Sequence, residues 1–278
     1  MQKQLKSFDN VKINYDISRN SGNFVVFVHG AGGDLTAWKR ERAFLHRKGI
    51  STLALDLRGH GKSERPNFQA DYSLENFARD IHSIIRKEKI SNFVIAGHCF
   101  GGMITIMFHK LFPRLAKSYI LIDTTYKAPS QLKGIFRNHP LFLHILNHIL
   151  KNDDLRKKHF SHVNYEKFVG SGDWDFFRIY SDISHTSFKS LLFTYENLAK
   201  FNGIKILRSI RKPVLIIEGD KDSIFNVLVA KKIKNLIRKS KLDIVPNANH
   251  VIVINNPKQL EVEILGFLLR LKEFRSNT

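Results

Sequence analysis

Cysteine is almost missing from this chain: Cys99 is the only one in 278 residues. One thiol excludes an intramolecular disulfide and stays free for chemistry in a reducing compartment. Long apolar runs are missing too, and none approaches the ~20 residues needed to span a bilayer. The opening stretch MQKQLKSFDN lacks the apolar core of a secretory signal. Together these absences set the expectation of a cytoplasmic protein without a transmembrane segment. Acidic residues are in short supply, 25 Asp+Glu against 45 Lys+Arg, which gives a formal net charge of +20. Such a surface attracts nucleic acid, anionic membrane or an acidic substrate such as a coenzyme A ester. No nucleic-acid recognition motif accompanies the charge, so nucleic acid is not an expected partner. The densest cationic stretch, residues 231–241, follows apolar positions at helical spacing: Val229, Ile233, Leu236 and Ile237. Its lysines therefore read as the solvated face of a packed helix.

What is present is a regular alternation. Short apolar runs at residues 24–28, 52–55, 93–96, 119–122, 214–217 and 242–245 are separated by longer amphipathic stretches. That pattern predicts an α/β fold, a mostly parallel central sheet flanked by helices. Continuously apolar runs suit strands buried on both faces. Residues 11–15 read as an antiparallel N-terminal strand, joined to the first run through the turn Asn20-Ser21-Gly22-Asn23. Between Asp123 and Lys212 the alternation lapses into a Phe-, His- and Lys-rich stretch that reads as helices. Insertions at the C-terminal ends of parallel strands lie over the site. The division expected is a core of residues 1–126 and 206–278, with a helical cap at residues 127–205. Within the cap, Leu141, Phe142, Ile145, Leu146, Ile149 and Leu150 form an apolar stripe at helical spacing. The stripe serves equally as a pocket wall or as cap core.

The chemistry concentrates at four strand ends. Gly97-His98-Cys99-Phe100-Gly101-Gly102 follows one apolar run and precedes an apolar helical stretch, residues 103–112. Glycines flanking a nucleophile between strand and helix describe a nucleophile elbow, with Gly97 and Gly101 small because strand and helix nearly touch. A cysteine nucleophile needs a base, an orienter for that base and donors for an oxyanion. The run 214–217 ends in Glu218-Gly219-Asp220-Lys221-Asp222, and the last run ends in Pro246-Asn247-Ala248-Asn249-His250. His250 is then the base. Asp220 and Asp222 are both placed to orient it, with Asp222 favoured beyond the glycine turn, and Asp123 after residues 119–122 is an alternative acid. The first run leads into His29-Gly30-Ala31-Gly32-Gly33, whose Ala31 N–H and the N–H of Phe100 could hold an oxyanion.

With these motifs on the page, the chain resembles the α/β-hydrolase superfamily, of the capped esterase, lipase and lactonase type. The matching stretches are His29-Gly30-Ala31-Gly32-Gly33, Asp56-Leu57-Arg58-Gly59-His60-Gly61-Lys62-Ser63, the elbow, Gly219-Asp220-Lys221-Asp222 and residues 250–257. They extend over nearly the whole chain. The resemblance implies Cys99 as nucleophile, Asp222 as acid, His250 as base, Ala31 and Phe100 as oxyanion donors, and no cofactor. It departs from the family's usual serine at the elbow. Dienelactone hydrolases and polyhydroxyalkanoate synthases share a cysteine there, but the rest of the chain resembles neither specifically.

The cysteine widens the chemistry. The substrate expected is a small acyl molecule, hydrophobic or anionic: a carboxylic ester, thioester or lactone cleaved through an acyl-Cys99 intermediate. That intermediate is a thioester, which leaves an acyltransferase open beside a hydrolase. A hydrolase-fold protein that binds ligand with little turnover is the third reading, and the acid–histidine pair argues against it. Dehalogenases and epoxide hydrolases of this fold carry aspartate at the elbow, so Cys99 argues against both. His29 and His98 flank catalytic backbone and read as supports, as do Asp56 and Arg58. His144 and His148 have a metal-ligand spacing without an adjacent glutamate signature, so no metal is expected. Trp174, Phe176 and Phe177 either line a pocket or pack within the cap.

Overall fold

Runs of consecutive apolar residues need cover on both sides of a sheet, and here both sides have it. The computed structural model describes residues 2–128, 161–272 and 274. Eight strands form one sheet in the order β1-β2-β4-β3-β5-β6-β7-β8. They are β1 (Gln2–Lys6), β2 (Lys12–Ser18), β3 (Asn23–Val28), β4 (Ser51–Leu55), β5 (Asn92–His98), β6 (Ser118–Ile122), β7 (Val214–Gly219) and β8 (Ser240–Val245). The pairs from β4 through β8 are parallel, whereas β2 runs antiparallel to both β1 and β4.

Alternate side chains of the central strands enter opposite layers, as a period of two requires. Val26, Val28, Ile95, Leu121 and Ile216 pack with one buried layer. It is completed by α2 (Leu74–Lys87), α3 (Phe100–Leu111) and α7 (Val227–Leu236). Val25, Phe27, Val94, Ala96, Ile120, Ile122, Leu215 and Ile217 enter the other layer, closed by α1 (Lys39–Arg47), α8 (Ile252–Asn255) and α9 (Pro257–Leu268). In α7, Ile233 is fully buried while Lys231, Lys232 and Lys234 are exposed, the arrangement expected of the lysine-rich helix.

Between β6 and β7 the described chain holds α4 (Phe176–Thr186), α5 (Phe188–Leu198) and α6 (Ile204–Ser209). Lys127 and Asn202 form an antiparallel bridge, so the chain leaves and re-enters the sheet region side by side. The stripe from Leu141 to Leu150, with His144 and His148, lies outside the described residues.

Four features differ from what the sequence leads one to expect. β1 was absent from the sequence reading because its residues alternate between half-buried and exposed, without an apolar run. β2 pairs with β1 and β4, not with the strand it leads into. β8 is not continuously buried: it is the sheet edge, and Ile244 is exposed. Helix α3 starts at Phe100, three residues before the apolar stretch, because the elbow itself turns into the helix.

The topology fixes where a ligand can sit. β3 has β4 on one side and β5 on the other, so the order in which the chain adds parallel strands reverses at β3. Outside the carboxyl ends of such strands a crevice opens. Register pairs Val28 with Gly97, which brings the loop after β3 against the turn after β5.

Candidate active site

Cys99 occupies the turn between β5 and α3 with φ 52° and ψ −114°. A non-glycine residue holds such a conformation only when its surroundings over-determine it. Here the Cys99 N–H donates to the Ile122 carbonyl at 2.9 Å. Its own carbonyl accepts from the Gly102 N–H at 3.0 Å and from the Thr124 hydroxyl at 2.6 Å. A side chain at Gly97 would collide with the Gly101 carbonyl, and one at Gly101 with the Val28 carbonyl. The close approach that the sequence implied is therefore real, and it leaves Cys99 partly exposed.

His250 stands in the turn after β8. Its Nδ1 lies 2.7 Å from Oδ2 of Asp222. The other carboxylate oxygen accepts from the N–H groups of Ile224 at 2.6 Å and Phe225 at 2.8 Å, which locks the carboxyl plane. The Cys99 side chain lies near enough to His250 to influence its charge. Burial disfavours a charged imidazole, but the neighbouring Cys99 and the bond to Asp222 outweigh it, holding His250 well above its ordinary range. His98 Nε2 donates to the His250 carbonyl at 2.8 Å. Burial, helped by the nearby His250 charge, pushes His98 down to about 3, so it acts as a neutral donor.

The two other candidate acids fall elsewhere. Asp220 is exposed. Asp123 is fully buried, and its Oδ1 accepts from the Gly219 N–H at 2.8 Å, while Oδ2 has no partner among the described residues. Burial holds the Asp123 carboxyl well above the carboxylate range, although the His250 charge opposes this. Glu218, which the sequence placed in the stretch after residues 214–217 without a role, is buried at the end of β7, and both its oxygens have no partner among the described residues. Burial and the neighbouring Asp123 and Asp222 push it up to about 10. Asp123 and Glu218 are thus neutral acids behind an Asp222–His250 pair. Asp123, Glu218 and Asp222 lie close enough to share a cation, and protonation of the first two removes the need for one. A second such group, Asp34, Asp56 and His162, is spent on protein contacts: Asp56 accepts from Asn14, Leu35, Lys62 and His162.

The glycine turn after β3 is built for exposed backbone. His29 Nδ1 donates to the Gly30 carbonyl at 2.7 Å, and Nε2 accepts from the Leu57 N–H at 3.0 Å. A Cβ at Gly30 would meet that of Cys99 at 3.3 Å, so the turn lies against the elbow. Ala31 follows in this turn. Phe100 supplies the first N–H of α3, which no helical carbonyl can accept. Arg58 is fully buried on Asp80 and Asp9, consistent with support of the loop. Trp174, Phe176 and Phe177 are each more than 70% exposed, so in the described residues they do not pack as a core.

Known proteins share the fold of this chain. The sequence model of the family described as alpha/beta hydrolase fold matches residues 23–257. Protein ABHD8 of Bos taurus is 25% identical over 247 residues, covering 87% of this chain and 55% of the relative. The chain thus spans about half the length of the curated relatives it matches. A hydrolase from Pseudomonas aeruginosa superposes with a TM-score of 0.77 at 17% identity, over 96% of this chain and 98% of that one. The enol-lactonase from Burkholderia xenovorans gives 0.73 at 17% identity, over 96% and 100%.

Proposed function

The chain belongs to the α/β-hydrolase fold family, and on that premise we propose that it cleaves a carboxylic ester, thioester or lactone through an acyl-Cys99 intermediate. The observation that carries this reading is the 2.7 Å contact between His250 and Asp222, beside a Cys99 held at positive φ in the elbow. Cys99 is the nucleophile, His250 the base and Asp222 its orienter.

In the proposed cycle the Cys99 sulfur attacks the acyl carbon while His250 holds the thiol proton. The carbonyl oxygen becomes an oxyanion received by the N–H groups of Ala31 and Phe100. As the C–O or C–S bond breaks, His250 returns the proton to the leaving group. Water then attacks the thioester, His250 takes its proton, and the acid and free Cys99 are released. Asp222 stabilises the imidazolium in both halves and fixes which ring nitrogen faces the sulfur. In this proposal the described part of the expected cap, residues 161–205, covers this site. The names of the Pseudomonas hydrolase and the Burkholderia enol-lactonase agree with this class of substrate.

The test is intact-mass spectrometry of wild type and Cys99→Ala after exposure to p-nitrophenyl esters, acyl thioesters and lactones. A mass increase on wild type that decays with release of acid, absent from Cys99→Ala, is the expected result. Turnover by Cys99→Ala near the wild-type rate refutes the mechanism.

A further inference from the structure

One carboxylate outside the triad touches both of its supporting loops. Asp173 Oδ1 accepts from the His250 N–H at 2.8 Å. Its Oδ2 accepts from the Ser223 N–H at 2.9 Å and the Ser223 hydroxyl at 2.8 Å. Ser223 is the residue after Asp222. A single side chain, carried by the segment between β6 and β7, therefore spans the loop of the base and the loop of the acid.

The neighbours of Asp173 repeat the link. The Ser171 carbonyl accepts from the side-chain amides of Asn249 and Asn255, each at 2.9 Å. The Gly170 N–H donates to Asn255 Oδ1 at 2.7 Å, and Trp174 Nε1 donates to the Ser223 hydroxyl at 3.1 Å. Arg178 Nη2 holds the Asp173 carbonyl at 2.6 Å. The peptide groups on either side of the His250 Cα are thereby engaged: the N–H by Asp173, the carbonyl by His98. A backbone held at both groups leaves the imidazole only its side-chain torsions with which to reach Cys99 and Asp222.

We infer that Asp173 is a positioning residue for the Cys99–His250–Asp222 site, through which the segment bearing it sets the triad geometry when seated. The inference rests on the reading of Cys99 and His250 proposed above. Orientation is where such a contact acts, since a misplacement of about 1 Å remote from the chemistry can cost about 100-fold in rate.

The experiment measures two quantities on Asp173→Ala, Asp173→Asn and wild type: kcat and KM for a p-nitrophenyl ester, and the rate of Cys99 alkylation by iodoacetamide across pH. Asp173→Ala is expected to lower kcat at least tenfold, at a KM within about twofold of wild type. Its alkylation profile is expected to move toward that of His250→Ala. Asp173→Asn keeps one acceptor oxygen but turns an amide donor toward one of the donors Asp173 serves, and falls between. Glu166→Ala removes a different contact of the same segment, the exposed ion pair with Lys39 at 2.8 Å, and is expected to change neither quantity. Asp173 variants that lose thermal stability yet keep wild-type kcat and alkylation below the melting point overturn the inference. If His250→Ala leaves wild-type alkylation unchanged, the Cys99–His250 pairing fails and the inference falls with it.

Discussion

Two carboxyls compete for the role of orienting acid, and one pair of isosteric substitutions separates them. In Asp222→Asn, the amide oxygen goes to the N–H groups of Ile224 and Phe225, because those two donors sit 2.6 and 2.8 Å from Oδ1. The NH2 group then replaces the oxygen that lies 2.7 Å from His250 Nδ1. Donor meets donor unless the imidazole adopts the other tautomer, with its proton on the nitrogen facing Cys99. In that tautomer His250 cannot accept the thiol proton. The same change in a Ser–His–Asp triad costs about 10⁴-fold in kcat, or about 5.5 kcal/mol at the transition state. A cysteine nucleophile depends less on its base, because the thiol ionises more readily than a hydroxyl, so the expected loss is about 10²–10⁴-fold. Asp123→Asn behaves differently. Asp123 is neutral in the folded protein, and its one partner, the Gly219 N–H at 2.8 Å, is kept by an amide oxygen. Its kcat is expected within about threefold of wild type, well short of what loss of an orienting hydrogen bond would cost. The assay is the pre-steady-state burst of p-nitrophenol, normalised to titrated thiol. An Asp123→Asn loss equal to that of Asp222→Asn refutes the assignment, as does an Asp222→Asn loss below tenfold.

Two further outcomes follow from buried titratable groups. Glu218, raised to about 10 by burial and the neighbouring acids, keeps its proton when folded and loses it on unfolding above its ordinary value. A raised carboxyl makes stability fall as pH rises, so Glu218→Gln is expected to gain about 2–3 kcal/mol on wild type between pH 5 and pH 7. Guanidinium unfolding at the two pH values measures it, and a pH-independent difference refutes it. His162 is raised, against the pull of burial, by its 2.8 Å pair with the buried Asp56, whose carboxyl that pair helps to lower. The histidine's share of this stability is complete below its ordinary value of about 6.5 and fades as pH climbs through the folded value, while the aspartate's share is present above about 4. His162→Gln should therefore destabilise the 161–169 stretch near pH 6, by about 1.5–3 kcal/mol, and much less near pH 9. Limited proteolysis at both pH values reads this out, and equal effects at the two refute it.

Much of the site was legible because most of its parts follow a continuous apolar strand. Val28, Ala96 and Ile217 end such runs, with His29–Gly33, Cys99 and Asp222 directly after or within a few residues, and His250 follows Val245 of the edge strand β8, whose run is broken by Asp243. Local sequence carries that information, since strand ends and glycine turns are short-range features. Position in three dimensions is not local, and there the sequence reading stopped. Nothing near Asp173 distinguishes it from other acids in the chain; its partners are 50 and 77 positions away. Glu218 stands in sequence among the polar residues after the run 214–217, and only its burial beside Asp123 reveals a neutral acid. β1 escaped because half-buried edge strands have no apolar run to detect.

The bridge between Lys127 and Asn202, with the Gly203 N–H on the Tyr126 carbonyl and the Ala128 N–H on the Phe201 carbonyl, closes the long excursion at its base. Seen from the sheet, that excursion costs little more than a short loop, because closure entropy grows only slowly with the length of what lies between joined ends. Such a junction suits transplantation: one segment can be exchanged for another of different length while the sheet folds as before. The Asp173 contacts limit that freedom. A graft that omits the stretch around residue 173 is expected to inherit the fold and the three proposed catalytic side chains, but not the register between them.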